Sequence, residues 1–151
     1  MTSIEQTKEN AIRKFYAANH DAIDADEPID ASSWDDCEFS VDCMDHLVLT
    51  EEEKADRLRN RITEGLWAFN ARWLVCELNL SDSLIEPLEK MQAELCEDAN
   101  EIMLRIVGDD LDQVIESASS EDGAGHFLAT YDGDEHEVEV DGMTLYVYRT
   151  N

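Results

Sequence analysis

Basic residues are scarce in this chain. Four Lys and seven Arg face 37 Asp and Glu, for a net charge of −26 over 151 residues. Such a surface repels phosphates, so direct binding to nucleic acid is not expected. Long apolar runs are also absent. None approaches the roughly 20 residues that a membrane span requires. The N-terminus, MTSIEQTKENAIRKFYAANH, lacks the basic start and apolar core of a secretory signal. A cytoplasmic protein without membrane contact is the expectation. Cys37, Cys43, Cys76 and Cys96 are scattered, and reduced thiols are expected. There is no internal repeat, no low-complexity linker and no Gly-rich phosphate loop. Neither G-x-S-x-G nor H-E-x-x-H occurs.

What is present suffices for a core. The hydrophobic fraction is 43%, with three Trp, four Tyr and four Phe. That is too apolar for disorder by composition, and the length suits one domain spanning residues 1–151. Over residues 1–20 a short amphipathic helix is predicted, with Ser3 and Gln6 as a capping box and Ile4, Ala11, Ile12 and Phe15 on one side. It ends near Asn19 or His20. Residues 21–49 read as an acidic loop anchored by Trp34, Phe39 and Val41, with a short strand near 37–43. A helical core occupies 50–108. Its first helix, of about seven turns, is capped by Thr50 and Glu53 and carries Leu58, Ile62, Leu66, Phe69, Trp73 and Cys76 in one stripe. Its second begins near Ser81–Ser83, admits Pro87 in the first turn, carries Leu88, Met91, Leu95, Ile102 and Ile106, and stops at Gly108. A short helix and turn fill 109–124. The tail, 125–151, changes period: Asp132-Gly133 and Asp141-Gly142 punctuate alternating runs, which predicts a three-stranded antiparallel meander. The fold class is therefore α+β and mostly helical, with two long amphipathic helices.

Candidate chemistry is thin. Cys37, Cys43 and His46 lie close in sequence, but their spacing exceeds the usual zinc pattern and no second ligand pair follows. The acidic runs DADEPID and DGDEHE start like calcium loops but have neither the Gly at position six nor the Glu at position twelve. Carboxylate pairs are everywhere and single out none. His126 and His136 on the tail read as structural. No catalytic residue, metal or cofactor is expected. Trp67, Phe69 and Trp73 place apolar groups on more than one side of the long helix, which offers a homodimer contact alongside a core role.

The distribution of charge is the signal. Residues 21–45, DAIDADEPIDASSWDDCEFSVDCMD, hold ten acids and no Lys or Arg. From Ile106 to Tyr148 twelve more acids occur, again with no base. Lys54, Arg57, Arg59 and Arg61 sit at the start of the long helix, where i,i+4 pairing with local acids is expected. A merely solvated surface, adaptation to high salt and imitation of nucleic acid all fit an acidic chain. Low Lys and abundant Asp suit the salt reading. Clustering favours imitation, because duplex DNA carries one charge per about 1.7 Å of axis. Glu135, Glu137 and Glu139 on one strand face would stand about 6.6–6.8 Å apart. The candidate partner-binding acids are Asp24, Asp26, Glu27, Asp30, Asp35, Asp36, Glu135, Glu137 and Glu139.

Gly125-His126-Phe127-Leu128, Tyr131-Asp132-Gly133 and Tyr148-Arg149 give the tail a resemblance to the C-terminal segment of small phage-encoded accessory proteins. Size and charge together resemble the antirestriction and anti-CRISPR proteins of phages and plasmids, a likeness of composition that transfers no residues. These resemblances imply an inhibitor that presents carboxylates to the basic groove of a nucleic-acid-binding host defence protein. The alternative is an acidic phage or halophile protein with a small-molecule or enzymatic role.

Overall fold

The computed structural model describes residues 2–19, 23–24 and 26–151. The expected helix end at His20 and the first acid of the block, Asp21, lie outside the described residues. The fold is α+β, and the chain divides into two compact units. One comprises Met1–Arg57 with Gly123–Asn151, and the other is Leu58–Asp122.

The first unit is a five-stranded antiparallel sheet with a helix across it. Helix α1 (Ile4–Asn19) starts where Ser3 Oγ accepts the Gln6 N–H at 3.2 Å. Its Ala11, Ile12, Phe15 and Tyr16 are buried, whereas Ile4 stays exposed. The strands are β1 (Asp30–Ala31), β2 (Glu38–Val41), β3 (Met44–Leu49), β4 (His136–Val140) and β5 (Met143–Arg149), in the order β1-β2-β3-β5-β4. Asp42 and Cys43 at φ 47° and 63° close the β2–β3 hairpin. Asp141 and Gly142, both at positive φ, close β4–β5. Phe39, Val41, Val48, Val138, Val140, Leu145 and Val147 join the α1 residues in one core. Each side chain fully removed from water there contributes about 1.5–3 kcal/mol.

The predicted meander is corrected to two strands, with β3 as the neighbour of β5. Its supposed first strand is a short helix, α7 (Ala124–Leu128). Leu128 and Ala129 are buried side by side, which a strand with one wet face does not allow. A Cβ on Gly125 would lie 2.3 Å from the Gly133 carbonyl oxygen, so glycine is required for this close approach. Asp132-Gly133 makes a tight turn after α7, with the Gly133 N–H bonded to the Ala129 carbonyl at 2.8 Å, and not a hairpin. The 21–49 segment, expected as an anchored loop, supplies β1, β2 and β3. Phe39 and Val41 anchor it; Trp34 does not, being 96% exposed.

Helix α2 (Glu51–Gly65) leaves the first unit and enters the second. Its start is the expected capping box: Thr50 N–H donates to Glu53 Oε2 at 2.8 Å, and Glu53 N–H to Thr50 Oγ1 at 3.3 Å. The predicted seven-turn helix is broken. A 3₁₀ turn at Leu66–Ala68 follows α2, and Asn70 caps α3 (Ala71–Glu77) by accepting the Trp73 N–H at 3.0 Å. The buried face is thereby reset to Ala71, Leu74 and Val75, which leaves Cys76 exposed.

The second long helix is broken likewise. Between α4 (Ile85–Leu95) and α5 (Asn100–Val107), Cys96 takes a φ of 50° and a 3₁₀ turn runs to Ala99. Ala99, Met103 and Val107 are buried, while Leu95, Ile102 and Ile106 are exposed, so the predicted stripe holds only through Leu88. Pro87 sits in the first turn of α4, and α5 stops before Gly108 as expected. Helix α6 (Leu111–Asp122) completes this unit.

Candidate protein-binding surface

The sheet unit holds 22 of the 37 acids and 6 of the 11 bases. All six bases are engaged within the unit. Lys8, buried in the core, pairs with Glu53 at 3.0 Å and also donates to Cys37 Sγ and the Asp36 carbonyl. Arg13 donates to the carbonyls of Asp24 at 2.9 Å and Glu27 at 2.8 Å. Lys14 donates to the Glu139 carbonyl at 2.6 Å. Lys54 pairs with Glu135 at 3.0 Å and lies 3.9 Å from the Tyr146 ring centroid. Arg57 pairs with Asp35. Arg149 lies 3.8 Å from the Tyr131 ring centroid and donates to the Asn151 carbonyl. Among the described residues, Lys8, Lys54 and Arg57 neutralise a carboxylate by an ion pair. The other three hold backbone carbonyls or a ring.

The bases at the start of α2 were expected to pair locally. Three of the four instead reach acids distant in sequence, Lys54 to Glu135, Arg57 to Asp35 and Arg59 to Asp112, and Arg61 forms no ion pair among the described residues. The i,i+4 pairs are Lys90 with Glu86 and Arg105 with Glu101, on α4 and α5.

The nine candidate acids separate by this test. Asp35 is structural: it binds Arg57 and accepts the Cys37 N–H at 2.9 Å. Burial pushes its carboxyl up, but these bonds outweigh it and hold the group below the usual range. Glu135 is also engaged, by Lys54 and by the Tyr148 hydroxyl at 2.6 Å. Burial and that bond together drive the Tyr148 hydroxyl far up. Asp24, Asp26, Asp30, Asp36, Glu137 and Glu139 are exposed, and Glu27 is half-buried.

These seven fall into two groups. Asp30 lies in β1, one edge of the sheet; Asp24, Asp26 and Glu27 precede it in the chain, and Asp36 follows in the β1–β2 loop. Glu137 and Glu139 lie on β4, the other edge. Four inter-strand steps, roughly 19 Å, separate the edges. The β1 and β4 acids are thus apart, but the two acidic blocks meet elsewhere: Asp24, Glu27 and Asp42 of the first line one cavity with Asp132 of the second. At the β4 edge Glu51, Glu137 and Glu135 converge on Tyr146. Its hydroxyl, bonded to Glu51, is pushed up to about 12 by that bond first, then by burial and by the three charges.

The zinc grouping weighed from the sequence is not assembled. Cys37 is buried, Cys43 is exposed in the β2–β3 turn, and the buried His46 meets Tyr16 Oη through Nε2 at 2.9 Å. Burial raises the Cys37 thiol to about 11, against the opposing pull of Lys8. Two close groups of candidate ligands do occur among the described residues, Asp35–Asp36–Cys37 and Asp132–Asp134–His136. Neither includes Cys43 or His46.

The proposed dimer residues are half-buried. The Trp73 indole N–H donates to Glu121 at 2.7 Å, and Phe69 and Trp73 stack edge to face. Trp67 is tied by its backbone to Asn100 and Gln92. Among the described residues, no helix is long and apolar enough to cross a membrane. No family model, curated protein or solved structure matches the chain.

Proposed function

We propose that the protein binds a basic, nucleic-acid-binding protein and occupies the surface that otherwise holds phosphates. The observation that carries this reading is the engagement of all six bases of the sheet unit in internal contacts, with exposed carboxylates left at both sheet edges. Bases held by carboxylates, carbonyls or a ring are fixed in place, and the exposed carboxylates outnumber them, so an approaching Lys or Arg meets mainly negative charge. Taken with the phage-protein resemblance of the tail, the reading is an inhibitor of a host defence factor, acting without catalysis, metal or cofactor.

The test is capture followed by displacement. A captured basic protein should release bound DNA or RNA as this protein is added, while the protein itself shifts neither nucleic acid. Capture without displacement, or direct binding to nucleic acid, would overturn the reading.

A further inference from the structure

The sheet unit uses one arrangement twice: an aromatic ring, a cation over its face, and carboxylates or carbonyls around the cation. Lys54 lies over Tyr146 with Glu135 beside it. Arg149 lies over Tyr131. A third site has the ring and the carboxylates but no cation. Trp34, in the loop between β1 and β2, is 96% exposed. It lines a cavity of about 440 Å³ together with Asp30, Glu38, Phe39 and His46. Asp30 and Glu38 are exposed, and no cation lies over the indole among the described residues.

The loop is held in place. Ser32 N–H donates to the Glu38 carbonyl at 2.9 Å, Trp34 N–H to Ser32 Oγ at 3.2 Å and Glu38 N–H to the Asp35 carbonyl at 3.2 Å. Arg57 fixes Asp35, and Lys8 holds the Asp36 carbonyl at 3.3 Å. His46 adds a feature of its own. It is 1% exposed, lines the same cavity, and its Nδ1 has no hydrogen-bond partner among the described residues. An exposed aromatic ring and two exposed carboxylates thus border one cavity, which is the environment that a planar, multiply donating cation fits.

We propose that the β1–β2 loop captures an arginine of the basic partner, the Trp34 indole stacking on its guanidinium while Asp30 and Glu38 accept its N–H groups. Arginine fits better than lysine for two reasons. A guanidinium stacks on Trp and remains free to donate in its plane, and its fork matches carboxylates in pairs. An ammonium stacks less well and holds water more tightly. The proposal rests on the acidic-surface reading and adds the residue that makes it selective.

The test uses fluorescently labelled octa-arginine and octa-lysine peptides with the full chain, by anisotropy at about 0.15 M salt. The native protein should bind octa-arginine several-fold more tightly than octa-lysine. Trp34→Ala should lose about tenfold for octa-arginine and bring the two peptides level. Trp34→Phe should keep part of the preference. Asp30→Asn with Glu38→Gln should weaken octa-arginine binding. Since Trp34 is almost wholly exposed, Trp34→Ala should leave the circular dichroism and melting temperature unchanged, which keeps the comparison interpretable. Equal binding of both peptides by the native protein, or full octa-arginine affinity in Trp34→Ala, would overturn the arginine site and leave the acidic-surface reading standing. Binding of neither peptide would overturn both.

Discussion

The ammonium of Lys8, 1% exposed, lies 3.0 Å from Glu53 Oε1, and so joins α1 to the capping box of α2. One scarce base is thus used inside the protein. Burial alone would raise the Glu53 carboxyl, but the Thr50 N–H and Lys8 together hold it below its ordinary range. Lys8→Ala leaves this partly buried carboxylate without its cation. The expected loss is about 2–4 kcal/mol, because breaking such a pair strands a charge. Lys8→Met with Glu53→Gln should lose less than Lys8→Ala. Urea denaturation measures both, and a loss below about 0.5 kcal/mol in Lys8→Ala would contradict the assignment.

The Asp35–Arg57 pair makes a pH-dependent prediction. Asn in place of Asp35 still accepts the Cys37 N–H, so Asp35→Asn isolates the ion pair. The folded-state carboxyl is depressed. Its stabilisation is therefore complete above the unfolded value, about 3.9, and is lost as pH falls through the lower folded value. The native protein should exceed Asp35→Asn by about 1–2 kcal/mol at pH 7, and the gap should close in the acid range. A gap independent of pH would show that the charge contributes nothing.

Gly125→Ala tests the close approach of α7 to the turn that follows it. The new Cβ would meet the Gly133 oxygen at 2.3 Å and Asp134 backbone carbon at 2.9 Å. Backbone must move, at about 1–3 kcal/mol. Gly65→Ala is the control, since nothing lies within 4 Å of its added carbon. It should be neutral or slightly stabilising. Equal effects of the two substitutions would contradict the local geometry.

Salt separates the functional reading from salt adaptation. Three ion pairs and a shared core hold the sheet unit together. The protein should therefore be folded in dilute buffer, with a melting temperature that rises modestly as salt screens the carboxylates. Melting that collapses below roughly 0.1 M salt, where the Debye length reaches about 10 Å, would favour the halophile alternative.

Where a residue's environment follows from its neighbours in sequence, the fold was legible. Val138 and Val140 alternate with glutamates, and Asp141-Gly142 closes their hairpin. Thr50 and Glu53 marked a helix start. Strand β3 was hidden because Leu47, Val48 and Leu49 are all buried, and a strand covered on both faces shows no alternation. The breaks at Asn70 and Cys96 were hidden because the apolar spacing runs through them, and the left-handed turn at Cys96 is made without glycine. Gly125 looked like the start of a strand, since its constraint comes from Gly133 in space. Charge blocks were visible in the candidate surface. The internal engagement of the bases was not, because Lys54–Glu135 and Arg57–Asp35 join residues far apart in the chain. Trp34 was misread because an aromatic in a loop is ordinarily an anchor.

The central claim is that the sheet-edge carboxylates carry binding to a basic protein. The direct measurement is the affinity for the captured partner at several salt concentrations, for the native protein and two neutralised variants. One variant carries Asp24→Asn, Asp26→Asn, Glu27→Gln, Asp30→Asn and Asp36→Asn; the other carries Glu137→Gln and Glu139→Gln. Asp35 and Glu135 are left intact because they hold the fold. The account predicts weaker binding and a flatter dependence on salt in at least one variant, as fewer charges cross the interface. Unchanged affinity and unchanged salt dependence in both variants would contradict it.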